Sequence, residues 1–269
     1  MSDPSSVKKC IPALLIGMEE DDESLPDKNL LNVLGRPICE YPMLAAKHSM
    51  HVDRLYVSTD SQSIIELAKE YDSHHIKRPL ELSKPGVGAE SVFAHGYKFI
   101  REDLEQQGFE IDLIVLLMCN AATLTAELID TGVELLRANP EADSAITVSE
   151  YNMWSPIRAR RLNIKGYLDS YIPLDQLEGI DEVNCDRDSQ GDVYFHDIGV
   201  SVVRAHCLEK IENGKKPMRW MGRHVLPIIN WGGLDMDFPW QIGMVEFWLR
   251  EHGVKYKGMR NAKNLQKTS

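Results

Sequence analysis

Two aspartates near the end of the chain have a spacing that suits a metal ion. Asp235 and Asp237 are separated by one residue, so in an extended segment their carboxylates lie on the same side of the backbone. Mg²⁺ is a hard cation that prefers carboxylate and phosphate oxygens. The pair therefore predicts a magnesium site that also takes a phosphate group. The alternative is a pair of solvated turn residues, which is the commoner source of this spacing.

Three further side chains could bind an anionic ligand. Lys28 and Asn29 end the first long loop, where an ammonium and an amide could meet a phosphate or the edge of a base. A solvated turn is the alternative for this pair. Arg187 stands between Asp186 and Asp188 and could hold a carboxylate through two hydrogen bonds, the alternative being a surface ion pair.

The first half of the chain alternates between strand and helix patterns. Apolar runs predict strands, and apolar residues at helical spacing predict helices. This alternation predicts an α/β fold with a mostly parallel sheet and helices on both faces. The predicted strands cover residues 10–17, 54–58, 113–118 and 144–149, and the predicted helices cover 38–50, 61–71, 91–107 and 125–138.

Ligands of such a sheet bind where loops leave the carboxyl ends of the strands. This rule adds Arg78, Ser91 and Asn120 to the candidate residues, because each lies in or at the end of such a segment. The segments that the rule selects are 18–29, 58–60, 78–91, 119–125 and 234–238.

The second half of the chain has a different character. Residues 151–190 are rich in turns and contain three closely spaced arginines, which predicts an inserted lobe. A strand over 193–203 and a helix over 240–252 follow. We expect one domain over residues 8–255 that includes this lobe, and a basic flexible tail over 256–269. The three arginines are Arg158, Arg160 and Arg161.

Composition excludes several classes of partner. The chain has 30 Lys and Arg against 41 Asp and Glu, a net charge of −11, which argues against binding to nucleic acid or to an anionic membrane. The five cysteines are scattered, which is typical of buried thiols in a reducing compartment. The sequence shows neither an apolar leader nor a membrane-spanning stretch. We therefore expect a cytoplasmic protein.

Short motifs in a fixed order resemble the CMP-sialic acid synthetase (acylneuraminate cytidylyltransferase) family over about residues 9–253. They begin with the opening strand that leads to Pro-Asp-Lys-Asn-Leu at 26–30. They continue with Leu-Gly-Arg-Pro-Ile at 34–38, Val-Ser-Thr-Asp-Ser at 57–61, Arg-Pro-Leu-Glu-Leu at 78–82, Asp-Leu-Ile-Val-Leu-Leu at 112–117, Ile-Asp at 129–130, Asp-Ser-Ala at 143–145 and Asp-Met-Asp at 235–237.

The resemblance implies a fold, a reaction and an assembly. The fold is a Rossmann-like nucleotide-diphospho-sugar transferase fold with a small dimerisation lobe. The reaction joins CTP to a 2-keto sugar acid, such as a nonulosonic acid, with Mg²⁺, giving a CMP-sugar and pyrophosphate. The assembly is a homodimer in which the lobe pairs the subunits and brings Arg158, Arg160 or Arg161 near the partner's cleft.

The same resemblance assigns roles to the candidate residues. Asp235 and Asp237 hold Mg²⁺, and Lys28 neutralises phosphate charge. The nucleotide is bound by Lys28, Asn29, Arg78 and Ser91, and the sugar acid by Asn120 and Arg187.

One segment departs from the family pattern. Members of the family carry an arginine and a Gly-Gly-Ser-Lys-Gly loop after the first strand, whereas this chain has Met18–Ser24 with five consecutive acidic residues, Glu19–Glu23. Carboxylates there repel a triphosphate. Two alternatives to a simple cytidylyltransferase follow: an inactive homologue that keeps the fold for binding or assembly, or an enzyme whose acidic loop recruits an additional metal ion.

Overall fold

The computed structural model of the chain describes residues 8–17, 25, 27–84 and 86–253. The acidic segment 19–23 and the tail 256–269 lie outside these residues. The strands are β1 (Lys8–Cys10), β2 (Pro12–Ile16), β3 (Asn32–Val33), β4 (Arg36–Pro37), β5 (Arg54–Ser58), β6 (His74–Ile76), β7 (Phe109–Ile111), β8 (Leu113–Met118), β9 (Ser144–Glu150), β10 (Arg160–Leu162), β11 (Leu168–Ser170), β12 (Tyr194–Arg204) and β13 (Val225–Asn230). The α-helices are α1 (Glu40–His48), α2 (Gln62–Lys69), α3 (Ala89–Gln106), α4 (Ala126–Ala138), α5 (Ala205–Glu209) and α6 (Ile242–Glu251).

Seven strands form one sheet in the order β13–β9–β12–β8–β2–β5–β6. Neighbouring strands are parallel except at β12, which runs antiparallel to both β8 and β9. Six strands therefore point the same way, and their carboxyl ends lie along one edge. The predicted α/β class and the mostly parallel sheet are confirmed.

Helices cover both faces of this sheet because its inner strands are apolar on both sides. Ala13 and Leu15 of β2 belong to a buried cluster with residues of α1, α2 and α4. Leu14 and Ile16 belong to a second cluster with residues of α3 and α5. Alternate residues of a strand face opposite sides of the sheet, so the two helical layers lie on opposite faces, as predicted.

A third apolar cluster attaches α6 to the segment that carries the two aspartates. Leu234 and Met236 are buried in it together with Val245 and Trp248. Because alternate residues of an extended segment face opposite ways, burial of Leu234 and Met236 places the carboxylates of Asp235 and Asp237 on the other side.

The strands of the main sheet differ from the sequence prediction in three places. The predicted strand 10–17 is two strands, because β1 pairs with β7 outside the main sheet while β2 joins it. At the break, the Ile11 N–H donates to Asp53 Oδ2 at 2.7 Å. The strands β6 and β13 were not predicted.

The chain between β9 and β12 forms the β10–β11 hairpin and a series of short 3-10 turns. Most of its side chains are exposed. The lobe and domain boundaries proposed above stay predictions. Among the residues that the structure describes, no helix combines the length and the apolar character needed to span a bilayer.

Candidate active site

Three predicted residues meet at the carboxyl edge of the sheet. The Lys28 ammonium lies 2.9 Å from Asp237 Oδ1. The Asn120 side-chain amide donates to the same oxygen at 3.2 Å. Asn120 follows β8, Asp237 follows β13, and Lys28 begins the 3-10 turn Lys28–Leu30, so three distant parts of the chain converge on one carboxylate.

Asp235 supplies a second carboxylate beside the first. Partial burial and the neighbouring charge of Asp237 raise the pKa of Asp235 to about 6, against the smaller opposing effect of Lys28. Two neighbouring carboxylates repel one another, and a cation that binds between them offsets this repulsion. This all-oxygen donor set fits Mg²⁺, and Asp235 and Asp237 are the residues that would hold the ion.

A cavity of about 160 Å³ adjoins this cluster. Gly17, Cys119 and Asn120 line it at the ends of β2 and β8, and Lys28 and Asn29 line it from the first turn. The close approach of the two strand ends requires glycine at position 17, since a Cβ atom there would lie 2.5 Å from Cys119 Sγ. The predicted nucleotide contacts Lys28 and Asn29 thus share one cavity with the predicted sugar contact Asn120.

Arg78 is buried beneath the edge of the sheet. Its Nη2 donates to the carbonyl oxygens of Gly17 at 2.7 Å and of Ser58 at 2.6 Å, and burial lowers the pKa of the guanidinium. Among the described residues, Nη1 has no hydrogen-bond partner. Arg78 therefore ties the ends of β2 and β5 together and keeps one donor for a further group.

The remaining predicted residues lie outside the Lys28–Asp237 contact. Ser91 is exposed on the first turn of α3, a turn that lines the cavity through Ala89 and Val92. Arg187 is exposed in the turn Arg187–Gln190 and forms an ion pair with Asp188 at 3.0 Å.

Two of the three lobe arginines donate hydrogen bonds within the lobe. Arg158 donates to Gln190 Oε1 at 2.9 Å and to the Cys185 carbonyl at 3.1 Å, and Arg160 donates to the carbonyls of Ile157 and Ala159. Arg161 is exposed on β10.

The sequence analysis missed a buried polar network behind the two aspartates. Thr123, Ser149, Asp197 and Asn230 are all less than a tenth exposed, and hydrogen bonds connect them to the segment that carries Asp235. The sequence indicates this network only by the polar residues that lie in or next to otherwise apolar strands.

A larger groove of about 790 Å³ runs beside the edge strand β13. Its walls are mainly apolar, and many of its side chains are about half exposed. The residues that line the groove include Tyr151, Ile229, Trp231, Trp240, Met244 and Phe247.

This fold is that of a nucleotidyltransferase. A family model described as cytidylyltransferase matches residues 20–162, more than half of the chain. The chain belongs to this cytidylyltransferase family. The resemblance found in the sequence is confirmed at this level, while a specific match to the sialic acid enzymes is not.

One protein with a similar sequence is the "Pseudaminic acid cytidylyltransferase and UDP-2,4-diacetamido-2,4,6-trideoxy-beta-L-altropyranose hydrolase" of Helicobacter pylori (strain ATCC 700392 / 26695). It is 26% identical over 136 residues, which are 50% of this chain and 25% of that protein. The chain thus matches about a quarter of the length of this relative.

Two solved structures share the fold. A CMP:2-keto-3-deoxy-manno-octonic acid synthetase complexed with CTP superposes with a TM-score of 0.61 at 15% identity, over 91% of this chain and 99% of the other. A 4-diphosphocytidyl-2C-methyl-D-erythritol synthase superposes with a TM-score of 0.59 at 14% identity, over 91% of this chain and 100% of the other. At these identities the likeness concerns the fold.

Proposed function

We propose that the protein is a cytidylyltransferase that joins CTP to a 2-keto sugar acid, giving a CMP-sugar and pyrophosphate. The observation that carries this proposal is the contact of Lys28 and Asn120 with Asp237, beside Asp235, in a chain of the cytidylyltransferase family. The relative that acts on pseudaminic acid supports a nonulosonic acid as the substrate class.

The reaction needs positioning and charge neutralisation more than covalent chemistry. The hydroxyl on the anomeric carbon attacks the α-phosphorus of CTP in line, and the bond to pyrophosphate breaks. Lys28 neutralises phosphate charge, and Asp235 and Asp237 are the residues that would hold Mg²⁺. When bound, this ion would offset the negative charge that the phosphates and the sugar carboxylate bring together.

In the proposal, the nucleotide and the sugar acid are bound by different side chains around Lys28, Asp235 and Asp237. Asn29, Arg78 and Ser91 bind the nucleotide. The role of Arg78 is supported by its Nη1 donor, which has no hydrogen-bond partner among the described residues. Asn120 and Arg187 bind the sugar acid.

We further propose a two-fold dimer in which the lobe of each subunit reaches the cleft of the other. The exposed apolar side chains of the lobe and of the groove beside β13 support this assembly. Arg158, Arg160 or Arg161 would then add positive charge near the partner's triphosphate.

A pyrophosphate-release assay tests the reaction. The full chain is incubated with CTP, Mg²⁺ and a panel of nonulosonic and octulosonic acids, with the other three nucleotides as comparisons. We expect release with CTP and one acid of the panel, and strong loss of this activity in Asp237→Asn. The matched control is Asp72→Asn, because the Asp72 side chain is 96% exposed.

Silence across the whole panel with all four nucleotides would contradict the proposal and favour an inactive homologue. Family membership and the ion pair of Lys28 with Asp237 favour the active enzyme over that alternative.

A further inference from the structure

The segment that carries the two aspartates has no regular secondary structure, yet a buried hydroxyl anchors it. Thr123 is fully buried in the connection between β8 and α4. Its Oγ1 donates to the Leu234 carbonyl at 2.9 Å and accepts from the Leu234 N–H at 2.8 Å. The hydroxyl thereby satisfies both backbone groups of the residue that precedes Asp235.

A second anchor lies on the other side of Asp235. The Met236 N–H donates to the Asn120 carbonyl at 2.9 Å. Asn120 and Thr123 belong to the same connection, so both neighbours of Asp235 are attached to it. The same connection also supplies the Asn120 amide that contacts Asp237.

A buried carboxylate fixes the chain just before this segment. Asp197 of β12 is 4% exposed, and its Oδ2 accepts from Ser149 Oγ at 2.8 Å and from Asn230 Nδ2 at 2.9 Å. Asn230 Nδ2 also donates to the Thr123 carbonyl at 3.0 Å. The network therefore returns to the connection that holds Leu234.

Gly233 shows how closely the segment lies on this network. Its N–H donates to Ser149 Oγ at 2.8 Å, and a Cβ atom at this position would lie 2.4 Å from Asp197 Oδ2. The backbone thus rests directly on the buried carboxylate, and three strands, β9, β12 and β13, define its path.

We propose that Thr123 is a positioning residue whose hydroxyl holds the Asp235–Asp237 segment in the geometry that binds the metal ion. Two carboxylates close together repel one another, so their separation has to be imposed by the surrounding structure. A displacement of about 1 Å in a reacting group can lower a rate about 100-fold. The inference rests on the proposed function for its metal ion but concerns a residue that contacts neither metal nor substrate.

Three variants separate positioning from simple packing. Thr123→Val keeps the shape and removes the hydroxyl, whereas Thr123→Ser keeps the hydroxyl. Thr131→Val is the matched control, because the exposed Thr131 hydroxyl donates within α4, to the Glu127 carbonyl at 2.7 Å. Circular dichroism and thermal unfolding establish that each variant is folded.

The main measurement is Mn²⁺ binding followed by electron paramagnetic resonance, with and without CTP. We expect Thr123→Val to weaken Mn²⁺ binding about 10-fold, the lower end of the effect of contacts that support metal ligands. Thr123→Ser and Thr131→Val should stay within about two-fold of the wild type. In the pyrophosphate assay, Thr123→Val should lower kcat and raise the Mg²⁺ concentration needed for half-maximal rate.

The outcomes distinguish this inference from the proposed function. Mn²⁺ binding by Thr123→Val at wild-type affinity would overturn the inference alone, as would an equal loss in Thr123→Ser. Wild-type protein that binds Mn²⁺ but releases no pyrophosphate across the panel would overturn the proposed reaction alone. Wild-type protein without Mn²⁺ binding, even with CTP, would overturn both.

Discussion

The most strongly shifted imidazole of the described chain is His196, next to the buried Asp197. Burial lowers its pKa to about 4, although the charge of Asp197 acts in the opposite direction. Its Nδ1 accepts from the Ile198 N–H at 3.0 Å, a bond that requires this nitrogen to be unprotonated. The folded protein therefore keeps His196 neutral over a range in which an unfolded chain, with a histidine pKa of about 6.5, takes up a proton.

This difference predicts a loss of stability in mild acid. As the pH falls below about 6.5, the unfolded state binds more protons than the folded state, so the free energy of unfolding decreases until about pH 4. Between pH 7.5 and pH 5 the decrease should be about 2 kcal/mol. His196→Asn, whose amide oxygen can accept the Ile198 N–H, should remove most of it, as measured by denaturant unfolding at both pH values.

The control for this prediction is His74→Asn, because His74 is exposed on the edge strand β6. It should keep the pH dependence of the wild type. An unchanged pH dependence in His196→Asn would contradict the prediction.

Single residues also show where sequence reasoning succeeds. The gathering of Lys28, Asn120 and Asp237 at one edge of the sheet could be predicted, because the carboxyl ends of parallel strands meet there, whereas their direct contacts were not predicted. Thr123 could not, since its partner Leu234 is 111 residues away and the bond depends on the paths of two irregular segments. Arg78 was predicted to bind the nucleotide, and its bonds to the ends of β2 and β5 add a structural role.

At the scale of elements, the unpredicted strand β13 has a physical explanation. It is an edge strand that pairs only with β9, and it contains Pro227, which interior strands do not tolerate. Its exposed positions include the apolar residues Val225 and Ile229, so the sequence lacks the alternation of apolar and polar residues that indicates a half-buried strand. The antiparallel direction of β12 is likewise absent from its sequence, because apolar alternation indicates a strand but not its direction.

The acidic segment 19–23 comes shortly after β2 in the sequence. Gly17, the residue that directly follows β2, lines the 160 Å³ cavity. Because carboxylates repel a triphosphate, replacing all five acidic residues by Ser should tighten CTP binding several-fold in calorimetry without metal. A single carboxylate about 4 Å from a phosphate charge contributes about 4 kcal/mol of repulsion at an effective dielectric constant near 20, before screening by solvent.

A control variant tests whether the change in CTP binding comes from the position of these charges or from the net charge of the whole chain. Glu102→Ser combined with Glu105→Ser removes two exposed charges from α3 and should leave CTP binding unchanged. Weaker binding by the five-residue variant, seen only when Mg²⁺ is present, would instead favour the alternative in which this segment recruits an additional metal ion.

At the scale of the whole molecule, two apolar surfaces are exposed among the described residues. The hairpin surface consists of Leu162, Ile164, Tyr167 and Leu168, each at least two-thirds exposed. The groove surface lines the 790 Å³ groove beside β13. A soluble monomer seldom exposes large contiguous apolar patches, and a two-fold dimer could bury both at once, the hairpin of each subunit against the groove of the other.

Breaking the hairpin surface tests this arrangement. Leu162 and Leu168 are directly opposite one another in the β10–β11 hairpin, so Leu162→Glu with Leu168→Glu places two charges at its centre. Light scattering at micromolar concentration should give twice the chain mass of 30.5 kDa for the wild type and the single mass for this variant. The control is Met50→Glu, which introduces a charge at another exposed apolar side chain, 79% exposed, and should leave the dimer intact.

The same variant tests whether one subunit completes the site of the other. If Arg158, Arg160 or Arg161 compensates for the acidic segment of the partner, the monomeric variant should lose pyrophosphate release, with a higher KM for CTP because the missing cations act on the triphosphate. Arg161→Gln, which alters an exposed residue of β10, should raise that KM while the protein remains dimeric. A wild-type protein of 30.5 kDa with full activity would contradict both the interface and the compensation, since a single chain would then supply every charge that the reaction needs.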